Sequence, residues 1–222
     1  MKDICVIGVG KFGKHLIETL SELNCNILAI DIDQKKVNDI ATKVSKAIVI
    51  NNISSEVFND LGLQNFDNVV ISVGTNVEAS LLTIACLQEL GIKNITAKAS
   101  SFQHYKILSA LGIKEIVFPE AESGKNLAYR LVYSKNSEIT ILNEQYVFAK
   151  IAVNNLSIVN IPLQQLDLRR KKRINIIAVD RYDELIFPEP STELQIADQL
   201  LLVLEVGDIE KITSWLNGCN KY

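Results

Sequence analysis

Apolar residues in the first two thirds of the chain fall into short, nearly continuous runs that are separated by longer amphipathic segments. Runs rich in Val and Ile predict strands buried on both faces of a parallel sheet, and the segments between them predict covering helices. Because such crossovers are nearly always right-handed, the alternation predicts an α/β fold with a doubly wound parallel sheet. The predicted strands are residues 3–7, 26–30, 47–50, 68–73, 94–98 and 115–118, and the predicted helices are 11–23, 34–44, 56–61, 77–90, 102–111 and 123–132.

A polar stretch, YSKNSE at residues 133–138, interrupts this alternation and predicts a linker. The pattern beyond it predicts a smaller α+β module, so we expect two domains, at residues 1–134 and 139–218. The predicted elements of the second domain are strands at 139–142 and 146–153, a turn-like segment NIPLQQLDL at 160–168, a hairpin at 174–190 that turns near 182–184, a strand at 198–206 and a closing helix at 208–216.

Composition argues against several classes of function. The chain has 222 residues and a net charge of −3, so no overall positive field indicates a nucleic-acid partner. The N-terminus shows no secretory signal, and the longest unbroken apolar run, LLLVL at 200–204, is too short to cross a bilayer. We therefore expect a cytoplasmic protein, peripheral to the membrane at most, whose membrane role must come through a partner.

The cysteines also carry no sign of a metal site. They are scattered without a CxxC pair, and no histidine lies near one, which argues against zinc and predicts buried free thiols in a reducing compartment. The cysteines are Cys5, Cys25, Cys86 and Cys219, and the histidines are His15 and His104.

The first predicted strand runs into a glycine loop, VIGVGKFGKHL, which opens the first predicted helix. In this context the GxGxxG spacing predicts a nucleotide-binding loop. Gly8 allows the tight turn, Gly10 lets the backbone approach a pyrophosphate, and Gly13 lets helix and strand pack closely. The helix N-terminus offers N–H groups to the phosphates. Asp31, at the end of the second strand, is placed to accept hydrogen bonds from both ribose hydroxyls, and its charge argues against NADP.

Other residues near this loop have two interpretations each. Asp33 is either a nucleotide neighbour or, with more support, the N-cap of the next helix. A T-x-x-E pattern that begins at Thr75 predicts a capping box, yet Gly74, Thr75 and Asn76 also follow the fourth strand, where doubly wound sheets bind ligands. Lys11 is unfavourable beside the positive end of a helix. A further phosphate, such as one on a neighbouring chain's nucleotide, would explain it.

The residues around this loop do not suggest catalysis. A dehydrogenase needs a substrate domain and a proton-transfer group near the nicotinamide, and neither histidine has an acidic partner at motif spacing. No GxSxG or Walker A pattern is present. The sequence therefore favours a nucleotide sensor over an enzyme. The alternatives are a small NAD(H)-dependent oxidoreductase and a free-standing nucleotide-binding interaction module.

Several segments form a recognisable order along the chain: VIGVGKFGKHL, AIDIDQKKV, VVISVGTNVEASLLT, NITAKASSFQHYKILSALGIKEIVFPE, and LDLRRKKRINIIAV followed by PEPSTELQIADQLLLVL. Together they resemble the KtrA/TrkA family, which comprises regulatory subunits of bacterial potassium transporters. The resemblance covers residues 1–216 and is nearer to KtrA, because TrkA chains are typically twice as long with duplicated halves. It implies a Rossmann-like RCK N-domain that binds nucleotide and an RCK C-domain for ligand binding and dimerisation.

The resemblance implies a nucleotide-sensing gating subunit. Such chains form homodimers that assemble into octameric rings and dock beneath a potassium-translocating membrane subunit of the KtrB or TrkH type. ATP favours transport and ADP the closed state, and NAD(H) is a further ligand of the family. The nucleotide contacts implied for this chain are Gly8, Gly10, Lys11, Phe12, Gly13, Asp31, Asn51, Asn52, Gly74, Thr75, Asn76 and Lys98.

Individual positions carry more specific expectations from the resemblance. Lys11 matches a basic residue that reaches a neighbour's γ-phosphate, and Lys98 matches a lysine near the phosphates. Glu120 matches an acid that joins a divalent cation at the dimer interface, with a surface carboxylate as the alternative. Asn51 is retained after the third strand, but Asn52-Ile53 replaces the small and hydroxyl residues that help to seat adenine, so base selectivity stays open.

A basic run, LRRKKR at residues 168–173, lies in the second module. A solvated turn is one interpretation. The resemblance implies another, a cyclic di-AMP site at the dimer interface of the C-domains. The residues that fall near the matching segment are Arg169, Asn175, Ile176 and Pro190.

Overall fold

The Val- and Ile-rich runs in the first half of the chain pair side by side into one parallel sheet, as their patterning predicts. The computed structural model describes residues 1–74, 76–133, 137–143 and 145–219, with Arg130, Tyr133, Ser137 and Lys171 described by their backbone alone. The strands of this sheet are β1 (Asp3–Ile7), β2 (Asn26–Asp31), β3 (Lys46–Val49), β4 (Asn68–Ile71), β5 (Ile95–Lys98) and β6 (Glu115–Val117).

The strand order is β3-β2-β1-β4-β5-β6, and all neighbours are parallel. The chain starts in the middle, winds outward to β3, and then crosses to the other side at β4. The predicted doubly wound fold is therefore confirmed, and its switch point lies between β1 and β4. The connecting helices are α1 (Lys11–Glu22), α2 (Gln34–Ile40), α3 (Ser55–Asp60), α4 (Val77–Glu89) and α5 (Phe102–Ala110), and α6 (Pro119–Tyr133) follows β6.

Both faces of this sheet are covered by apolar cores. Alternate residues of β1 point to opposite faces, so Val6 packs with Ile17 and Ile40 on one side, and Cys5 packs with Phe58 on the other. Two-sided burial explains why the strands are nearly continuous in apolar residues. Burial also raises the pKa of the Cys5 thiol, which keeps it protonated and unreactive.

Side-chain oxygens cap four of the helices. Asp33 caps α2 by accepting a hydrogen bond from the Lys35 N–H at 2.9 Å, as predicted. Ser54 and Ser101 cap α3 and α5 in the same way. The capping-box prediction for α4 is wrong by one residue, since Asn76 is the N-cap and its Oδ1 accepts the Ala79 N–H at 2.9 Å. Thr75 itself lies outside the described residues.

The second part of the chain forms an antiparallel sheet in the order β10-β9-β11-β8-β7. One face carries its own apolar core, in which Ile151, Leu202 and Ile212 are buried together. The α+β prediction is confirmed, and the elements are β7 (Ser137–Ile141), β8 (Tyr146–Ala152), α7 (Leu163–Leu166), α8 (Leu168–Lys172), β9 (Asn175–Arg181), β10 (Glu184–Ile186), β11 (Gln199–Glu205) and α9 (Ile209–Leu216).

Parts of the segment predicted as turn-like at 160–168 and of the basic run at 168–173 are helical, namely residues 163–166 and 168–172, whereas residues 160–162, 167 and 173 are not. Helices α7 and α8 are only four and five residues long, too short to display a helical period in the sequence. Asp167 and Arg173 both have positive φ and flank α8. Asp167 therefore ends α7, and Arg173 ends α8. The interpretation of the basic run as a solvated turn is therefore wrong for its backbone.

The predicted hairpin at 174–190 is confirmed as β9 and β10, which pair antiparallel around Tyr182 and Asp183. Both turn residues have positive φ, at 55° and 64°, which is the geometry of a two-residue type I′ turn. Arg181, just before the turn, donates two hydrogen bonds of 2.8 Å to the buried carboxylate of Asp198. This pair holds the hairpin to the segment that leads into β11.

The chain divides into two compact units, Met1–Pro119 and Glu120–Tyr222. Helix α6 begins at this boundary, and its first residue is Pro119, a favoured start of a helix. The predicted domain limits of 1–134 and 139–218 stay a prediction, and residues 134–136 of the predicted linker lie outside the described residues. No helix in the described part of the chain is long and apolar enough to span a membrane.

A strained alanine just before β11 generates a stability prediction. Ala197 is exposed and has a φ of 69°, which an L-residue adopts at a steric cost that glycine avoids. We expect Ala197→Gly to raise the free energy of unfolding by about 0.5–1 kcal/mol. Urea unfolding followed by fluorescence of Trp215, the one tryptophan of the chain, measures this, because Trp215 lies in α9 of the same unit.

The matched control is Ala128→Gly, an exposed alanine inside α6. There glycine costs about 1 kcal/mol, because the helical backbone is fixed at negative φ. An equal loss of stability in both variants would contradict the assignment of strain to Ala197.

Candidate functional site

The glycine loop joins β1 to α1 at the carboxyl edge of the parallel sheet. Gly8 has a φ of +102°, and a Cβ there would lie 2.9 Å from the Ser72 carbonyl carbon. A Cβ on Gly13 would lie 2.1 Å from the Gly8 oxygen, so a side chain at either position would push the helix away from the sheet. These two glycines are required by packing, as the spacing predicts.

Gly10 differs from the other two glycines. A Cβ at this position would meet no atom of the described residues within 4 Å, so packing within the protein does not require a glycine. Gly10 is the N-cap of α1 and offers no side-chain oxygen, and the first turn, KFGK, contains no acid. The first N–H groups of α1 therefore have no side-chain acceptor at the N-cap, an arrangement that suits a helix N-terminus that binds a phosphate.

Asp31 lies beside this loop, as the sequence predicts. Its carboxylate is buried at the end of β2, where Oδ2 accepts the Val9 N–H at 2.6 Å and Oδ1 accepts the Asp33 N–H at 2.9 Å. Asp31 thus fixes the glycine loop and the start of α2 by two hydrogen bonds. A carboxylate has about four acceptor positions, so two remain for a ligand.

Two cations and one aromatic ring flank the loop. Lys11 is the first residue of α1 and is exposed. The Lys98 Nζ, at the end of β5, lies 5.6 Å from the centre of the Phe12 ring and 3.5 Å from where a Gly74 Cβ would be. The fold therefore brings together Phe12, Gly74 and Lys98 at the switch point between β1 and β4.

The remaining predicted contacts are distributed along the same edge. Asn51 and Asn52 are exposed and follow Ile50, whose N–H donates to the Asp31 carbonyl at 3.1 Å. Asn76 uses its Oδ1 as the cap of α4. Thr75 is outside the described residues. Whether these residues contact a nucleotide stays a prediction.

The described residues of the single chain do not assemble a cation site at Glu120. Glu120 is in the first turn of α6, where a carboxylate is favourable next to the positive helix end. Among the residues that the structure describes, no three His, Cys, Asp or Glu side chains cluster to hold a metal ion. A cation at Glu120 would need further ligands beyond those that the described residues cluster there, such as nucleotide phosphates or a second copy.

In the second unit, the residues predicted for cyclic di-AMP come from two neighbouring segments. The Ile174 N–H donates to the Leu168 carbonyl at 3.3 Å, which brings the exposed Arg169 of α8 near Asn175 at the start of β9. Ile176 is half-buried against the core of the unit. Pro190 is exposed, and its carbonyl accepts the Gln164 N–H of α7 at 3.0 Å.

His104 has a structural role that the sequence did not reveal. It is 1% exposed, and its Nδ1 accepts the Ser100 N–H at 3.2 Å while its own N–H donates to the Ser101 Oγ at 3.1 Å. These two bonds resemble a capping box at the start of α5, with histidine in the place of glutamate, except that the imidazole accepts the N–H of Ser100, the residue before the N-cap Ser101. Its Nε2 has no hydrogen-bond partner within the described residues, and burial lowers its pKa below 6.5.

Two further residues at the loop were missed by the sequence analysis. The Ser72 Oγ is buried, lies 2.9 Å from where a Gly13 Cβ would be, and has no hydrogen-bond partner in the described part of the chain. The Lys36 Nζ lies 3.8 Å from the Asp31 Oδ1. Lys36 follows the N-cap Asp33 within one helical turn, and a helical side chain points back toward the N-terminus, which is the one signal that could have revealed it.

Comparison with known proteins agrees with this architecture. Residues 4–119 match the model of the TrkA-N domain, and residues 148–217 match that of the TrkA-C domain. The chain is 37% identical over 211 residues to Ktr system potassium uptake protein C of Bacillus subtilis, with 95% of each chain covered. This chain belongs to the KtrA/TrkA family.

Other family members and a solved structure fit the same assignment. The KtrA/TrkA chain is 29% identical over 215 residues to Ktr system potassium uptake protein A of Bacillus subtilis, with 95% of each covered. It also matches the fold of the GsuK channel with a TM-score of 0.65 and 15% identity, over 98% of this chain and 39% of that one. That likeness concerns the fold alone and confirms the two-part architecture.

The His104 cap generates a pH prediction for this KtrA/TrkA-family chain. Burial lowers the pKa of His104 in the folded state, so the unfolded chain takes up this proton first, near pH 6.5. The unfolded state therefore binds more protons below that pH, and the free energy of unfolding falls as the solution is acidified. Above pH 6.5 this contribution to stability is fully present.

His104→Gln isolates the effect, because glutamine accepts the same N–H at this helix position and does not titrate. We expect a smaller loss of stability between pH 7 and 5 in the variant, measured by urea unfolding with circular dichroism. Identical pH profiles for the two proteins would show that His104 does not carry the dependence.

Proposed function

We propose that the chain is a nucleotide-sensing regulatory subunit of a potassium uptake system, and not an enzyme. The observation that carries the proposal is the N-terminus of α1, which has no side-chain cap, begins at a glycine whose Cβ would meet no described atom within 4 Å, and lies beside the buried carboxylate of Asp31. The relatives named potassium uptake proteins, which match nearly the full length of this chain, support the process that the nucleotide would control.

In the proposed binding mode the phosphates lie at the N-terminus of α1 and the ribose lies at Asp31. The N–H groups of the first turn and the positive end of the helix stabilise the phosphate charge. The two acceptor positions that remain on Asp31 match the two hydroxyls of a ribose. ATP and ADP are the proposed ligands, and NAD(H), which shares the adenosine diphosphate part, fits the same contacts.

Lys11 and Lys98 would complete the phosphate site. Lys98 lies beside Phe12 and Gly74, at the switch point where a phosphate chain would run. Lys11 is exposed at the outer side of the loop, and we propose that it reaches the third phosphate of a nucleotide on a neighbouring copy. That arrangement would let the assembly distinguish ATP from ADP.

We propose that the chain acts as a homo-oligomer, built from dimers into an octameric ring, on the cytoplasmic side of a KtrB- or TrkH-type membrane subunit. An apolar groove between α4 and α5 supports self-association, because Leu82 is 51% exposed and Ile107 is 42% exposed. A divalent cation at Glu120 would join two copies through ligands that one chain does not provide. Cyclic di-AMP is the proposed second ligand, at Arg169, Asn175, Ile176 and Pro190.

The oxidoreductase alternative has less support from the site. His104 is buried and used in a helix cap, and His15 is exposed and paired with Glu18 at 3.2 Å. Neither is placed as a proton donor for a nicotinamide. Turnover of NADH with carbonyl substrates by the purified protein would favour the alternative.

Removal of the Asp31 side chain should weaken nucleotide binding. Asp31→Ala loses the charged acceptor for the ribose and the bond to the Val9 N–H, so we expect ADP affinity to fall by about 1–3 kcal/mol. Calorimetry measures the affinity, with Asp39→Ala, which removes an exposed acid from the following helix α2, as the control. Equal ADP affinity in both variants would remove Asp31 from the site.

Lys11 should matter more for ATP than for ADP. Because the proposed contact is to the third phosphate, Lys11→Ala should lower ATP affinity several-fold and ADP affinity much less. The control is Lys14→Ala, an exposed lysine one turn along the same helix. Equal losses for both nucleotides would mean that Lys11 contacts only the shared phosphates.

The gating role predicts that potassium flux through a reconstituted membrane partner rises with ATP and falls with ADP. A ligand shifts such an equilibrium only through its different affinities for the two states, by about 1–3 kcal/mol per site. Hydrolysis is not needed, so a non-hydrolysable ATP analogue should support flux in proteoliposomes. An analogue that binds like ATP but leaves flux at the ADP level would contradict the sensor proposal.

A further inference from the structure

A lysine lies at the ribose end of the proposed site, within the AIDIDQKKV segment but with no role assigned to it from the sequence. The Lys36 Nζ lies 3.8 Å from the Asp31 Oδ1, and the side chains of the two residues are 46% and 7% exposed. Lys36 is on α2, whose start is fixed to the same carboxylate through the Asp33 N–H. A mobile, hydrated cation therefore faces a fixed, buried anion.

The distances separate the roles of the groups around Asp31. The Val9 and Asp33 N–H groups donate true hydrogen bonds, at 2.6 and 2.9 Å. Lys36, at 3.8 Å, is beyond hydrogen-bond range and acts through its charge. It offsets the negative charge of Asp31 without occupying the acceptor positions that a ribose would use.

We propose that Lys36 is a specificity-determining residue for the ribose 2′ position, which rests on the nucleotide site proposed above. Asp31 alone would strongly reject a ribose that carries a 2′-phosphate, because two anions would meet in a poorly solvated place. The ammonium of Lys36 is close enough to lower this repulsion and long enough to swing toward the phosphate. The chain should thus bind an unmodified ribose more tightly than a 2′-phosphorylated one, but by a smaller factor than Asp31 alone would produce.

The experiment compares two ligands that differ only at this position, ADP and its 2′-phosphorylated form. The measured quantity is the ratio of their dissociation constants, by calorimetry for ADP and by competition for the 2′-phosphorylated form. Removing the cation in Lys36→Ala should increase this ratio by about threefold to tenfold, and Lys36→Glu should increase it further. The effect should shrink in high salt, because Lys36 is half-exposed.

Lys35→Ala is the matched control, since it removes an exposed lysine from the adjacent position of the same helix. Its ratio should equal that of the wild type. The variant Asp31→Asn gives an independent test, because its preference should move toward the 2′-phosphorylated ligand, and adding Lys36→Ala should abolish that gain. Thermal unfolding of each variant confirms that it is folded.

The outcomes separate the two proposals. A wild-type protein that does not bind ADP would overturn the nucleotide site itself. A wild type that binds ADP, with the same ratio in Lys36→Ala and Lys35→Ala, would overturn only the role of Lys36. Wild-type rejection of the 2′-phosphorylated ligand at a hundredfold excess over the ADP dissociation constant would also overturn it.

Discussion

One buried carboxylate holds the functional edge of the parallel sheet together. Asp31 accepts the N–H of Val9 from the glycine loop and the N–H of Asp33 from the start of α2, and its own carbonyl accepts the Ile50 N–H at the end of β3. A buried charge is costly unless it is hydrogen-bonded and paired, and these contacts with Lys36 nearby meet that condition. Asp31 thus positions the glycine loop, the start of α2 and the end of β3, and its carboxylate retains acceptor positions that these bonds do not use.

The N-terminus of α1 contrasts with those of the next four helices. In α2 to α5 a side-chain oxygen from Asp, Ser or Asn satisfies the first N–H groups, which stabilises each helix within the protein. In α1 a glycine occupies that place and offers no side-chain acceptor, and the lysine that follows it is unfavourable next to the positive end of the helix. A local choice that breaks the rule of its neighbours is expected at a functional site.

Much of the first unit could be predicted because its strands and helices are long enough to display their periods. The strand runs, the switch point and the position of Asp31 beside the loop follow from that pattern. Short helices such as α7 and α8 could not be predicted, since four or five residues contain no period. The cap of α4 was assigned to Thr75 because two adjacent residues both suit that role. Ser72 and Lys36 act through tertiary contacts, which the pattern of a single sequence does not predict.

The contact between Gly8, Gly13 and Ser72 has a consequence for synthesis of the chain. The glycine loop is synthesised well before Ser72, the residue against which it packs, because Ser72 follows β4 in the chain. Before Ser72 is synthesised, β1 can pair with β2, but the glycine loop lacks the residue against which one of its sides packs. The proposed nucleotide site is therefore complete only after β4 and Ser72 have been synthesised, so a ligand bound at this site would not guide the folding of the segments before β4.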